Sequence, residues 1–490
     1  MCGFVGVIGL EAAAPALVLG LQAMQHRGQD AAGVGTLNHG RFHLHKDLGL
    51  ISQAIPPHVI ERMPGSAGIA HVRYPTAGVD IGDREDAQPF ITRRPGILLA
   101  HNGNITNVSE IEDHLREQGM HVLSQCDSEP VLLVLAEELT ALRPAGHTLD
   151  DLHTALKRLM ARVRGAYSVV AVLEVDGQET LVAFRDPFGI RPAVFGRHAD
   201  GAWMVASESV ALDVLDFKIV DHVPPGSMVV LRKGEAPILR TVSPQAARHC
   251  VFERIYFARP DSIMEEGRVN NMRWALGERL ADDWMKKGLE ADVVVAIPDT
   301  SRDAALAMAE RLKLPNREGF IKNRYSGRTF IMPNQATRDA ALRLKLNPIR
   351  EVFDGQRVIL VDDSIVRGST MRRIVRMVQD MRPKEVHLAI FSPPVAHPCF
   401  YGIDMPSKDE LVASLYPPDR LEIELAKTLG VQSLTYVTTE GLREVAGDRI
   451  CSACFNGDYA IPVSAAEQAY ILKNRSANGK RTAVTPDPVR

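Results

Sequence analysis

Cysteine follows the initiator methionine in "MCGFVGVIG". Once methionine is removed, a thiol and a free α-amino group share one residue, Cys2. An α-amino group titrates at about 7.7–8.0, so a neutral fraction near pH 7 can accept the thiol proton. A nucleophile activated by its own amine is an established nucleophile–base pair.

A second reactive segment is "VILVDDSIVRGST" (358–370). Val358 to Val361 read as a buried strand, with Asp362 and Asp363 at its C-terminal edge. Gly368, Ser369 and Thr370 then open a helix, whose free N–H groups make an anion site. Two adjacent carboxylates do not bind phosphate, but they suit ribose hydroxyls or Mg²⁺. The pattern fits a phosphorylated sugar arriving with magnesium. It is not a Walker A loop, because no G-x-x-x-x-G-K-[ST] occurs. Four cysteines form a third set: Cys250, Cys399 and the "CSAC" pair Cys451 and Cys454. Four thiolates can hold a [4Fe–4S] cluster or zinc. Cys126 reads as a small buried apolar residue.

The elements that must position these residues fall into two styles. Before about residue 240, short strands ("GFVGVIG", "GIAHVRY", "GILLAHNG", "AYSVVAVLEV", "ETLVAF", "WMVASE", "SMVVL") alternate with glycine and proline turns. Helices are predicted near 15–25, 107–118, 128–142 and 151–164, which makes sheets covered by helices. After 240, "ADVVVAIPDTS", "RDAALAMAERLKL", "QRVILVDDSIVRGST", "MRRIVRMVQDM" and "EVHLAIFS" alternate strand and helix. That order predicts a parallel sheet with ligands at the strand C-termini. The stretch 466–490 is polar and is expected to be a flexible tail.

The 490 residues imply two or three domains. With 57 basic and 60 acidic residues, the net charge of −3 gives no whole-chain argument for nucleic acid or an anionic membrane. The apolar stretch from Ala12 to Leu21 is too short to span a bilayer and lacks a basic n-region. A cytoplasmic location is expected, with thiol catalysis or metal binding rather than disulfides.

Several segments then take on meaning through resemblance. "MQHRGQDAAGVG" (24–35), "GIAHVRYPTAG" (68–78), "AHNGNITN" (100–107) and "CDSEP" (126–130) resemble the class II, N-terminal-nucleophile glutamine amidotransferases. "RDPFGIRP" (185–192), "VASES" (205–209) and "PPGSM" (224–228) extend the likeness. It implies an αββα sandwich over 2–240. Arg73 would clamp the glutamine α-carboxylate and Asp127 its α-ammonium. Asn102 and the N–H of Gly103 would form the oxyanion hole, and Arg27 would support the glutamine site. His26, His71 and His101 are read as structural, since the amine already supplies a base.

"VILVDDSIVRGST" resembles the phosphoribosyl pyrophosphate (PRPP) motif of type I phosphoribosyltransferases, which implies a parallel-sheet domain over 241–465. By that likeness Val366, Arg367, Gly368, Ser369 and Thr370 cradle the 5-phosphate, beside Ser364. Asp362 and Asp363 contact ribose and Mg²⁺, and Thr300 in "IPDTS" is a further magnesium ligand. "KNRYSGRTFIMPNQATR" (322–338) resembles the mobile loop, with Lys322, Arg324, Arg328 and Arg338; Lys345 joins the PRPP contacts.

Together the halves resemble the amidophosphoribosyltransferase family, in its iron–sulfur branch. That resemblance assigns Cys250, Cys399, Cys451 and Cys454 to a [4Fe–4S] cluster. It implies glutamine hydrolysis at Cys2 and ammonia transfer to PRPP, giving 5-phosphoribosylamine, pyrophosphate and glutamate in purine nucleotide synthesis. It further implies feedback inhibition by purine nucleotides and a homo-oligomer, dimer or tetramer. Members of that branch often carry a short propeptide before the nucleophile; here methionine removal alone is expected to suffice. Two rivals are another class II amidotransferase and a non-catalytic PRPP-binding regulator. The 358–370 motif argues against the first, and Cys2 with the oxyanion segment argues against the second.

Overall fold

The computed structural model describes residues 2–74, 83–265, 267–323 and 346–477, with side chains to 473. Two antiparallel sheets stack in the first half. The seven-stranded sheet runs Lys218–His222, Val194–Arg197, Trp203–Ala206, Gly3–Ile8, Ala67–Arg73, Ala31–Asn38 and Arg41–Leu48. The six-stranded sheet runs Ile238–Thr241, Ser227–Leu231, Gln178–Arg185, Gly165–Val175, Gly96–Ile105 and Phe90–Arg93. Phe4, Ile69, Leu98, Val170, Leu181 and Trp203 fill the layer between them.

Helix Ala13–Ala23 covers the outer face of the first sheet. Helices Val108–Glu117, Ser128–Leu142 and Leu149–Arg162 cover that of the second. This is the αββα sandwich expected. Strand Gly3–Ile8 is buried along its whole length because a helix lies on one side and a second sheet on the other, so it reads as a continuous apolar run.

The second half is built on a four-stranded parallel sheet in the order Val293–Ala296, Arg357–Asp362, Glu385–Ile390 and Ser433–Tyr436. Helices Val269–Met285 and Arg302–Leu312 pack on one face. Helices Ser369–Gln379 and Leu421–Leu429 pack on the other. Met371, Ile374, Val375 and Val378 are buried, the stripe that the sequence spacing predicts.

The expected tail differs. It opens with helix Ala465–Ala477, in which Ile471 is buried. Ser464 and Glu467 cap that helix reciprocally: Ser464 N–H donates to Glu467 Oε2 at 2.6 Å, and Glu467 N–H to Ser464 Oγ at 3.2 Å. Arg164 pairs with Glu467 at 2.9 Å. Residues 478–490 lie outside the described residues. No described helix is long and apolar enough to cross a membrane.

Candidate active sites

Register places Cys2, the expected nucleophile. Gly3 pairs with Val72 on the neighbouring strand, so Cys2 emerges beside Arg73 and Tyr74. The Cys2 thiol points at the Tyr74 carbonyl oxygen, 3.7 Å away. Cys2, Arg73, Gly103 and Asp127 line one cavity of about 450 Å³, although they come from four separate motifs. Gly28 lets this happen: a β-carbon there would sit 2.6 Å from the Arg73 carbonyl oxygen.

Asn102 is buried, and among the described residues neither its Nδ2 nor its Oδ1 has a hydrogen-bond partner. Leaving a buried amide unpaired costs about 1–3 kcal/mol, and such exceptions in a folded protein call for a reason. Gly103 approaches its neighbour too closely for a side chain, since a β-carbon would lie 2.0 Å from the Ala166 carbonyl oxygen.

Asp127 precedes helix Ser128–Leu142 but makes no capping hydrogen bond. Its Oδ2 accepts from Ile105 N–H at 2.9 Å, which leaves the carboxylate at the cavity wall. Arg73 Nη2 reaches Asp86 at 3.4 Å. Burial raises the Asp86 pKa, against the pull of Gln125 N–H and Arg73.

Arg27 lies behind the site. It does not line the glutamine cavity and is fully buried. Its Nε donates to the Cys2 carbonyl at 2.9 Å, its Nη2 to Glu253 at 2.8 Å, and its Nη1 to Glu208. It therefore holds the Cys2 backbone from behind the cavity.

All three histidines are engaged by the fold. His26 pairs with Glu208 at 2.8 Å, and His101 Nδ1 lies 2.8 Å from Ser128 Oγ. His71 Nε2 donates to the His101 carbonyl at 3.1 Å. Burial, with help from His101, holds the His71 pKa down at about 3. Sequence reasoning missed Gln88, which lines the cavity and accepts His101 N–H at 2.7 Å, and the carboxylates of Glu208 and Glu253. "VASES" and "CVFERIY" contained the latter two, but burial of a glutamate is invisible to pattern.

At the other site, strand Arg357–Asp362 ends on the acidic pair. Ser364 Oγ donates to Asp363 Oδ1 at 2.5 Å, and Thr300 Oγ1 donates to Asp363 Oδ2. Burial drives the Asp362 pKa well up, and the Asp363 charge adds to it; Asp363 is raised by burial too. A cation between them would relieve both penalties, so these residues fit magnesium.

Gly368 has φ +73° at the start of helix Ser369–Gln379, a conformation that favours glycine. It turns Ser369 and Thr370 into the first helical turn, where N–H groups are free for an anion. Arg367 pairs with Glu410 at 2.8 Å, and Lys322 with Asp299. Arg324, Arg328, Arg338 and Lys345 lie outside the described residues.

The four remaining cysteines are all buried in one apolar cluster. Cys250 and Cys451 face each other across the short parallel ladder His249–Cys250 with Ile450–Cys451. Cys399 and Cys454 share the same buried cluster. Burial pushes the Cys250 thiol up to about 11 and those of Cys451 and Cys454 higher still, with the other cysteines adding to it. The donor chemistry fits a thiolate-ligated group, whose positive charge would offset that burial. As the side chains stand, no three or more His, Cys, Asp or Glu among the described residues form a shell for a single ion.

A glutamine amidotransferase domain family model matches residues 76–214, and a phosphoribosyl transferase domain model matches 272–398. The chain is similar to the amidophosphoribosyltransferase of Pseudomonas aeruginosa, with 41% identity over 98% of this chain and 97% of that one. It is 42% identical to that of Escherichia coli K12, over 89% and 86% of the two chains. Among solved structures, glutamine PRPP amidotransferase from B. subtilis complexed with ADP and GMP superposes with a TM-score of 0.83 at 36% identity. That match covers 95% of this chain and 98% of the other.

Proposed function

The chain belongs to the amidophosphoribosyltransferase family and is a glutamine-dependent enzyme of purine biosynthesis; from that premise we propose how its residues divide the work. The amide of Asn102, without a partner among the described residues and set between His101 and Gly103 of the Cys2 cavity wall, carries this reading.

Arg73 and Asp127 hold the α-carboxylate and α-ammonium of glutamine. The Cys2 α-amine takes the thiol proton, and the sulfur bonds to the side-chain amide carbon. Asn102 Nδ2 and Gly103 N–H stabilise the resulting oxyanion. The ammonium returns the proton as the C–N bond breaks, releasing ammonia and leaving a glutamyl thioester. Water then releases glutamate.

Residues 366–370, beside Ser364, hold the 5-phosphate of PRPP by backbone and hydroxyl donors, and Lys322, Arg328 and Lys345 serve the pyrophosphate. Magnesium, when bound by Asp362, Asp363 and Thr300, supplies charge neutralisation for pyrophosphate departure. Ammonia bonds to C1 as the C1–pyrophosphate bond breaks, giving 5-phosphoribosylamine.

The thiols of Cys250, Cys399, Cys451 and Cys454 are buried in one apolar cluster, and with a single C-x-x-C pair among them the proposed group is a structural [4Fe–4S] cluster rather than zinc, which usually takes two paired knuckles. The division at about residue 240, a cytoplasmic location and a homo-oligomer, dimer or tetramer, complete the proposal. Purine nucleotides are the proposed feedback inhibitors; the relative from B. subtilis is one complexed with ADP and GMP. Mass spectrometry tests the account at its start: a preparation fully active with glutamine should begin at Cys2. Retained Met1 in such a preparation would overturn it.

A further inference from the structure

The oxyanion residues belong to the glutaminase half, yet part of what holds them comes from the transferase half. Asn104, buried beside Gly103, donates from Nδ2 to the Phe400 carbonyl at 3.0 Å. Gly402, at φ +102°, lies directly on Gly103. A β-carbon there would sit 2.9 Å from the carbonyl carbon and oxygen of Gly103.

The turn that carries these contacts is itself pinned. Arg191, fully buried, donates from Nε to the Tyr401 carbonyl at 2.7 Å. The Tyr401 hydroxyl donates to Ile461 O at 2.7 Å and accepts Ile461 N–H at 2.8 Å. Arg191 Nη1 also reaches Glu253 Oε1, at 3.2 Å. That same oxygen accepts from Arg27, which holds the Cys2 carbonyl. Nucleophile and oxyanion backbone are thus set against each other through one carboxylate and one turn.

We propose that the Phe400–Gly402 turn, with Arg191 and Glu253, positions the oxyanion hole for glutamine hydrolysis. The turn fixes the Gly103 peptide, and the Arg191–Glu253–Arg27 chain fixes Cys2 relative to it. The glutaminase centre is therefore complete only when the transferase half is docked. This inference rests on the oxyanion reading of Asn102 and Gly103.

Gly402→Ala in the full chain tests it, with Asn104→Ala as the second variant. Three quantities are measured: glutamine hydrolysis, ammonia-dependent synthesis, and the rate at which iodoacetamide alkylates Cys2, read by peptide mass. Alkylation is displacement at a saturated carbon and forms no oxyanion, so it reports the nucleophile alone. A misplacement of this kind should lower hydrolytic kcat by about 10- to 100-fold. Glutamine KM, the alkylation rate and ammonia-dependent synthesis should stay close to wild type.

Wild-type hydrolysis by both folded variants would overturn the proposal. Alkylation falling in step with hydrolysis would also overturn it, by placing the disturbance at Cys2. If Gly402→Ala does not fold, Asn104→Ala decides alone. Normal hydrolysis by Asn102→Ala would instead remove the oxyanion reading itself, so the two failures are distinguishable.

Discussion

Nε of Arg27 donates a 2.9 Å hydrogen bond to the carbonyl oxygen of Cys2. The residue whose thiol and amine must face one substrate is thus held by a guanidinium that never meets solvent. Burial alone would disfavour that charge, but Glu253 and Glu208 outweigh it and raise the Arg27 pKa. The anchor therefore stays charged at every working pH.

Removal of the thiol should separate the two half-reactions. Cys2→Ala is expected to lose glutamine-dependent synthesis entirely while retaining synthesis from ammonium salts. Loss of both in a folded variant would show that the halves do not divide the chemistry.

Asn102→Ala should lower kcat for glutamine hydrolysis by about 10²–10³, the usual cost of one oxyanion donor. Glutamine KM should change little, because Arg73 and Asp127 hold the other end of the substrate. Steady-state kinetics checks this split.

The acidic pair should serve synthesis and not hydrolysis. Asp363→Asn removes a charge placed to hold magnesium, a contribution of several kcal/mol. Synthesis should fall by at least about 100-fold with either glutamine or ammonia as nitrogen source. Basal glutaminase activity without PRPP should survive.

His71 sets an acid limit on stability. Its folded pKa, about 3, lies below the ordinary 6.5 because burial disfavours the imidazolium. Between those values the unfolded chain binds a proton that the folded chain does not. Stability is therefore lost as pH falls through this window, by up to about 1.4 kcal/mol per pH unit. Urea midpoints across the window should fall more steeply for wild type than for His71→Gln, whose amide does not titrate there. Parallel slopes would remove His71 from the explanation.

Metal analysis addresses the cysteine pocket. Anaerobically purified protein should carry about four iron and four sulfide per chain. Cys399→Ser should lose both in proportion. Colourless, iron-free wild type, or stoichiometric zinc, would sink the cluster.

The sequence by itself determined more than the elements. Period-two and period-3.6 patterns located the strands and helices, because buried faces repeat with the backbone geometry. Local motifs named candidate sites wherever spacing and backbone act together, as in the Asp362–Thr370 turn.

Burial and distance were decided by tertiary structure alone. "HRGQD" says only that Arg27 supports the glutamine site, and two distant glutamates, Glu208 and Glu253, closing around it decide that it does so as a buried anchor. Ser464 and Glu467 form a capping box across the boundary at which composition marked the start of a tail. The contact of Gly402 with Gly103 joins residues about three hundred positions apart. No local rule reaches that far, because chain connectivity fixes neighbours in sequence and only packing fixes neighbours in space.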